Sequence, residues 1–206
     1  MNEVRRGRPR DTGVDERVLA AATDLLLAHG YDGLSTDAVA ERTGIAKTTL
    51  YRRWPTKDHL AVAVVTRLQD SDEITDTGDI RRDLTDYLEK IAAALERMST
   101  AGAAGTGGRS AGTVAELVAA AARHDDIGEL ERAMYARRNR LAYALIEAAR
   151  ARGELLPGTD PEVLLDQLAG ALYYRVLITG NPVDRAYAER LVAAALDGAL
   201  TDRSNP

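Results

Sequence analysis

Six polar or cationic side chains lie within seven consecutive residues near the amino terminus of this 206-residue chain. They are Lys47, Thr48, Thr49, Tyr51, Arg52 and Arg53. On a helix that buries the remaining residue, Leu50, they supply hydrogen-bond donors, methyl groups and positive charge to the outward face. These groups suit a helix in the major groove of DNA, where base edges are read and phosphates line both walls. The stretch therefore predicts a DNA-reading helix.

The elements that would position this helix are encoded in the stretch from Ser35 to Trp54, STDAVAERTGIAKTTLYRRW. Ser35 can cap a short helix, and Gly44 fits the tight turn that follows, where a side chain would be crowded. Three apolar residues can then pack inward and fix the angle between the two helices: Val39, Ile45 and Leu50. The pattern is that of a helix-turn-helix over residues 35–54.

Cations flank the motif on both sides. Lys57 falls in the first turn of the next helix, where the helix dipole disfavours a cation but a bound phosphate would favour it. The arm RRGRPR contains Arg5 and Arg8, which could enter an A·T-rich minor groove as homeodomain arms do. The alternative for the arm is a solvated tail.

Composition excludes several classes of protein. The chain has no cysteine, and His29, His59 and His124 lie far apart in sequence, so neither a metal site nor a cofactor is expected. No nucleophile–base arrangement indicates catalysis. No run approaches the roughly 18 apolar residues of a membrane span, and no secretion signal is recognisable, so a cytoplasmic location away from the membrane is expected.

The remaining sequence predicts an all-α fold of about nine helices, because apolar residues recur at helical spacing and strand-like alternation is rare. We divide the chain into a flexible basic arm (1–11), a three-helix DNA-binding domain (12–58) and a helical regulatory and dimerisation domain (59–206). The first 60 residues carry ten Lys and Arg against nine Asp and Glu, whereas the remainder carries seventeen against twenty-three. The cationic groups are thus biased towards the amino-terminal domain.

The run GYDGLSTDAVAERTGIAKTTLYRRWPTKDHL resembles the TetR family of bacterial transcriptional regulators, and ARGELLPGTDPE and YYRVLITGNPVD are similar to one branch of it. The resemblance implies a three-helix DNA-binding domain followed by a variable helical domain for ligand binding and dimerisation. It also implies phosphate contacts by Thr36, Tyr51, Arg53 and Lys57, and base contacts by Lys47, Thr48 and Thr49. Arg53 stands where many members have histidine, and Trp54 where many have phenylalanine; the latter is expected to be a core residue.

A long helix predicted from Asp126 to Arg152 carries an inward apolar stripe that contains Arg138. The arginine could reach the surface along its aliphatic stem, or it could line a ligand cavity between the fifth, sixth and seventh helices. The residues expected to line such a cavity are Met98, Met134, Arg138 and Leu141. Its ligand would be a small, mostly apolar effector.

The last two helices are predicted to form a homodimer interface. The helix that begins at Pro161 is apolar nearly all round, which would leave a large exposed face in a monomer. The residues expected at the interface are Leu165, Ala169, Leu172, Val176, Leu191 and Ala195.

The function predicted from the sequence is a DNA-binding transcriptional regulator, specifically a ligand-responsive repressor that binds a palindromic DNA operator as a homodimer. Two alternatives remain open at this point. One is a DNA-binding dimer that has no small-molecule effector. The other is an all-helical binding protein or enzyme whose motif docks protein.

Overall fold

The computed structural model describes residues 12–70, 74–100 and 112–197. Within these ranges the chain forms nine α-helices, which confirms the predicted all-α class. Their bounds are α1 Thr12–Gly33, α2 Thr36–Thr43, α3 Lys47–Arg53, α4 Lys57–Asp70, α5 Ile80–Thr100, α6 Gly112–Arg123, α7 Asp125–Ala151, α8 Pro161–Tyr173 and α9 Arg185–Asp197. A π-helical turn, Tyr174–Ile178, extends α8. The predicted basic arm, with Arg5 and Arg8, lies outside the described residues.

Helices α1 to α3 and the start of α4 form the amino-terminal head. Helix α1 packs on α2 and α4, and α2 packs on α3. Gly30 breaks α1 with a positive φ of 68°, and Gly44 ends α2 in the left-handed region at the same φ. A residue with a Cβ is strained in that region, so these glycines determine where α1 breaks and where α2 ends. The buried side chains at the centre of the head are Val18, Ala22, Leu26, Leu34, Val39 and Leu50.

Helices α5 to α9 form the body, and α4 connects it to the head. Helix α5 is central, since it packs on α6, α7, α8 and α9, while α4 packs on α1 at one side and on α7 at the other. Because α4 contacts both parts, a shift of α7 relative to α4 would be transmitted to the head. The fully buried side chains of the body include Leu84, Tyr87, Leu88, Leu95, Ile127 and Ile146.

The two closing helices begin in different ways. Helix α9 begins at Arg185, three residues after Pro182, because Asp184 accepts a hydrogen bond from the Tyr187 amide at 2.7 Å and caps the helix there. The preceding segment is held separately: the Arg175 guanidinium donates to the carbonyl of Pro182 at 2.7 Å. Helix α8 therefore begins with a proline, which follows the capping residue Asp160, whereas α9 does not.

Candidate nucleic-acid interface and buried cavity

The short helix α3 is attached to the head by a single buried side chain, Leu50, which is 1% exposed. On the opposite face Lys47, Thr48, Tyr51 and Arg52 are exposed, and Thr49 is half-buried at the edge. The predicted outward face is therefore present, with the donors and methyl group that a groove-reading helix requires. Trp54 packs against the core, as predicted.

Arg53 does not share that face. Its side chain is only 23% exposed and forms an ion pair with Asp15 of α1. The outward placement predicted for Arg53 is wrong, because at 100° per residue position 53 falls beside Leu50 on the inward side of α3. Arg52, which was predicted on the outward face but was given no contact by the family resemblance, is the arginine that α3 exposes.

Thr36 is also less accessible than predicted. It is 5% exposed at the start of α2, so its side chain offers little surface to a phosphate in this conformation. The helix end itself is as expected: the Ser35 hydroxyl accepts a hydrogen bond from the Ala38 amide at 3.1 Å. The sequence therefore located the helix terminus correctly but not the exposure of the residue beside it.

An acidic residue that sequence reasoning missed joins α2 to the outward face of α3. The Asp37 carboxylate lies 2.8 Å from Lys47 Nζ and accepts a hydrogen bond from the Tyr51 hydroxyl at 3.4 Å. The hydrogen bond from Lys47 lowers the pKa of Asp37, and the same contact raises the pKa of Lys47. Both groups are therefore charged at neutral pH.

Lys57 occupies the first turn of α4, as predicted, and it contacts the end of α1. Its Nζ lies 4.1 Å from the centre of the Tyr31 ring and donates to the Asp32 carbonyl at 3.4 Å. The Tyr31 hydroxyl donates in turn to Asp58. Burial, followed by this hydrogen bond, raises the pKa of Tyr31, which keeps the hydroxyl protonated. The cluster holds a cation at the exposed start of α4, where a phosphate could bind.

In the body, Arg138 is half-buried between two tyrosine rings. Its guanidinium carbon lies 4.9 Å from the centre of the Tyr135 ring and 5.8 Å from that of Tyr173, and Nη1 donates to the Tyr173 hydroxyl at 3.0 Å. Among the described residues, the buried Nε has no hydrogen-bond partner of good geometry, and neither does the hydroxyl of Tyr87 nearby. Burial raises the pKa of Tyr87, and the Arg138 charge opposes this only in part, so the hydroxyl stays neutral. Two buried polar groups left unsatisfied by the described residues require an explanation, because such groups are costly.

Both groups line a cavity of about 30 Å³, which is room for about two water molecules. Met98 and Leu141 line it as predicted, but Met134 does not, and the walls come from α4, α5, α7 and Ile74 without α6. The predicted position between the fifth, sixth and seventh helices therefore needs this correction. Met134 lines an adjoining groove of about 420 Å³, which shares Gln69, Arg138 and Leu141 with the cavity.

The residues predicted for the dimer interface fall into two groups. Leu165 and Leu172 are 1% and 0% exposed in the single chain, so their assignment to the interface was wrong. They face inward because α8 buries them against its own body. The other four are half-buried: Ala169, Val176, Leu191 and Ala195. The exposed apolar side of α8 and its π-helical turn is formed instead by Val163, Tyr174 and Ile178, at 53%, 61% and 72% exposure, with Gly170 between them.

The histidines do not gather into a site. His59 Nδ1 lies 2.8 Å from the Thr56 hydroxyl oxygen, and its Nε2 lies 3.3 Å from Asp126 at the start of α7. Within residues 12–70, 74–100 and 112–197, no three His, Asp or Glu side chains are grouped to hold a metal ion. None of the helices in these ranges is long and apolar enough to cross a membrane.

The head and the body each match a model of a known protein family. Residues 18–64 match the family model described as bacterial regulatory proteins, tetR family. Residues 74–195 match a second one, described as the tetracyclin repressor-like C-terminal domain. The first match spans the helix-turn-helix, and the second covers most of the body, including Arg138 and the apolar side of α8.

Individual relatives agree over nearly the full length. The chain is 32% identical to the HTH-type transcriptional regulator YdeS of Bacillus subtilis over 198 residues, which are 95% of this chain and 94% of that protein. It is 28% identical to a DNA-binding transcriptional repressor TetR of Mycobacteroides abscessus over 92% of this chain and 93% of that one. A crystal structure of a TetR family transcription regulator superposes with a TM-score of 0.74 at 35% identity, covering 91% of this chain and 99% of the other.

Proposed function

The chain belongs to the TetR family of bacterial transcriptional regulators, and from that premise we propose that it is a ligand-responsive repressor acting as a homodimer on a palindromic operator. The proposed function involves no catalysis. It places the protein in the cytoplasm, where a bacterial operator is accessible. The three parts of the proposal, DNA contact, dimer and effector, rest on different surfaces.

The observation that carries DNA binding is the outward face of α3. Four exposed side chains of this helix can donate hydrogen bonds, and its one buried side chain, Leu50, anchors it to the core of the head. Lys57 lies at the start of the next helix. We assign base contacts to Lys47, Thr48 and Thr49, and phosphate contacts to Tyr51 and Lys57. Arg53 would have to leave Asp15 before it could contact a phosphate, and Arg52 is the better-placed arginine.

Selection of bound fragments from random DNA tests this assignment. We expect the wild-type protein to enrich a two-fold symmetric sequence, with an affinity that falls steeply as salt rises. Lys47→Ala and Thr48→Ala should change the preferred sequence, whereas Tyr51→Phe should weaken binding to all sequences alike. A motif that docks protein through apolar contacts would enrich no sequence and show no such salt dependence.

For the homodimer we propose that the exposed apolar side of α8 meets its symmetry mate, together with the outer face of α9. Val163, Tyr174 and Ile178 follow one side of α8 and its extension, and small Gly170 between them would let helices approach closely. A monomer would leave this side in water. An isologous two-fold contact would also place the two heads at the spacing of successive turns of the major groove.

For the effector we propose the cavity and adjoining groove between α4, α5 and α7. Arg138 Nε and the Tyr87 hydroxyl find no acceptor among the described residues, those along the cavity wall include no carboxylate, and the other wall residues are mostly apolar. A molecule with an apolar body and one carboxylate or other acceptor would satisfy both donors. The cavity alone holds only water-sized groups, so the rest of the molecule would extend into the 420 Å³ groove. There Met134 and Leu141 would contact its apolar part, and the arginines of the lining would favour its negative group.

Helix α4 would couple the two sites. It contributes Thr66 and Gln69 to the groove and carries Lys57 at its other end. An effector that binds more tightly when α4 and α7 are farther apart would shift the heads away from the spacing that matches DNA. Coupling requires this difference in affinity between the two states. A regulator without an effector would keep the same operator affinity in the presence of every ligand tested.

A further inference from the structure

The contact between Asp37 and the outward face of α3 is the least expected feature of the DNA-reading surface. Phosphates surround any helix in the major groove, and an acid placed there is repelled by them. Asp37 is nevertheless exposed on that side, at the second residue of α2, with Lys47 and Tyr51 on its two carboxylate oxygens. Its location needs a reason that general affinity for DNA does not supply.

We propose that Asp37 determines operator specificity: it holds Lys47 and Tyr51 in position and presents a carboxylate that only a base with an amino group in the major groove can satisfy. The proposal rests on the proposed function, since it assumes that this face reads DNA. It adds a residue of α2 to the reading surface and assigns it a class of base.

The positioning part follows from the geometry of the contacts. Lys47 and Tyr51 are four residues apart and therefore neighbours on the outward face of α3. A lysine side chain has four rotatable bonds and is disordered in water unless something restrains it. The Lys47 ammonium at 2.8 Å from Asp37 is restrained, and the Tyr51 hydroxyl is directed to the other oxygen of the same carboxylate. One acid thus aligns two side chains proposed to contact DNA.

The discriminating part follows from the chemistry of the groove. An ionised carboxylate only accepts hydrogen bonds and has about four acceptor positions, of which these two contacts occupy two. In the major groove the only donors are the amino groups of cytosine and adenine, whereas guanine and thymine present acceptors. Facing an acceptor, the Asp37 carboxylate would lose its water without gaining a partner. It therefore favours cytosine or adenine at the base it approaches.

A stability role does not account for this pair. Both partners are more than half exposed, at 57% and 58%, and an ion pair in that environment contributes little to folding. The head contains a comparable pair, Arg42 and Asp24 at 3.3 Å, which is similarly exposed but does not involve α3. This second pair supplies the control that the test requires.

The test compares operator selection from random DNA by the full-length wild type, Asp37→Asn and Asp24→Asn. Each variant removes one negative charge from an exposed pair in the head, so both should bind random DNA slightly more tightly, Asp37→Asn at least as much as Asp24→Asn. Only Asp37→Asn should relax the choice of one base pair in each half-site, because asparagine can donate as well as accept. We expect the discrimination at that base pair to fall about tenfold.

Each result has a defined meaning. An Asp37→Asn selection profile identical to those of the wild type and Asp24→Asn would overturn the proposal. A wild-type protein that selects no sequence would refute the proposed DNA-binding function itself, so the two failures are distinguishable. If Asp37→Asn melts well below the wild type, Asp37→Glu replaces it in the test. That variant keeps the charge but moves it by one methylene, and a change at the same base pair is expected.

Discussion

The head and the body of this protein place their charged side chains in opposite ways. In the head, acids and bases pair across helices near the surface, as in Asp37 with Lys47 and Asp24 with Arg42. In the body, Arg138 and Glu131 lie on the inward side of α7, and neither has an ion-pair partner within the described residues. Arg138 is satisfied only in part, by one tyrosine hydroxyl and two aromatic rings.

The difference corresponds to the contacts that each region can make with other molecules. A surface ion pair has a small net free energy and stays accessible to solvent, so its members can make further contacts with DNA at low cost. A buried charge without an ionic partner reduces the stability of the fold, and such groups occur mainly at functional sites. The head therefore carries charges that DNA can reach, whereas the body carries buried polar groups that are only partly satisfied within the described residues.

The largest effect is expected when the two heads are separated from each other. Tyr174→Glu combined with Ile178→Glu places two charges on the exposed side of α8 proposed to form the dimer. Because two linked heads gain affinity from effective concentration, we expect operator affinity to fall at least about 100-fold, although no DNA-facing residue changes. Sedimentation should report monomers, and fluorescence anisotropy with operator DNA should report the affinity.

Val118→Glu is the matched control, since Val118 is a 47% exposed apolar residue on α6, outside the proposed interface. It should leave both dimer and affinity intact. The Tm of the double variant should be close to the Tm that the wild type reaches when it is diluted to monomers, because both replaced side chains are more than half exposed. If it sediments as an unaltered dimer, the interface lies elsewhere.

The next effect concerns the ligand and should leave DNA binding unchanged. Arg138→Met removes the charge that contacts both Tyr135 and Tyr173. The test uses aliphatic and aryl carboxylates beside their amides. The loss of a charge-assisted hydrogen bond should weaken release of operator by the carboxylates about tenfold or more. Arg132→Met, an exposed change on the same helix outside the cavity and the groove, should not. If no carboxylate releases operator from the wild type, the regulator without an effector becomes the better description.

A smaller effect is expected from a single phosphate contact in the head. Lys57→Ala should reduce the slope of log affinity against log salt by about one unit, because one fewer counterion is released. Lys57→Arg retains the charge and should retain the slope. A Lys57→Ala slope equal to that of the wild type would mean that the Lys57 ammonium stays on Tyr31 and never contacts phosphate.

The comparison also explains which features could be predicted from the sequence. Gly44 and Leu50 determine the turn and the buried anchor of the helix-turn-helix through local geometry, so their roles were predictable from residue type and spacing. The inward side of Arg53 also follows from its spacing to Leu50, but its ion pair does not, because the partner Asp15 is 38 positions away and belongs to another helix. Local patterns specify helix termini and faces, but they do not specify which distant side chain pairs with a charged residue.

The same limit applies in the body. Helical periodicity correctly placed Arg138 on the inner side of α7, yet it could not distinguish the two apolar faces of α8. Leu165 and Leu172 were assigned to a partner although they fill the core of their own chain. Which apolar face is covered within the chain depends on how α8 packs against α5, α7 and α9, and that arrangement leaves no local signal in α8.

The smallest effect tests whether the body is weakened by its second buried charge. Burial raises the pKa of Glu131 above its ordinary value of 4.5, and Arg132 only partly opposes this. Between the unfolded and folded pKa values the folded chain binds more protons, so its stability falls as pH rises through that window and stays lower at neutral pH. Glu131→Gln removes the charge and should raise Tm by about 2 °C at pH 7.5.

The advantage of Glu131→Gln should shrink as the pH is lowered towards 4.5, because wild-type Glu131 then becomes neutral as well. Glu129→Gln, at an exposed position of the same helix, should change Tm little at either pH. Thermal melts of the three proteins at pH 5 and pH 7.5 give the comparison directly. A Glu131→Gln protein that melts below the wild type at pH 7.5 would show that the ionised carboxylate makes a stabilising contact. The contrast between surface pairs in the head and uncompensated charges in the body would then hold for Arg138 alone.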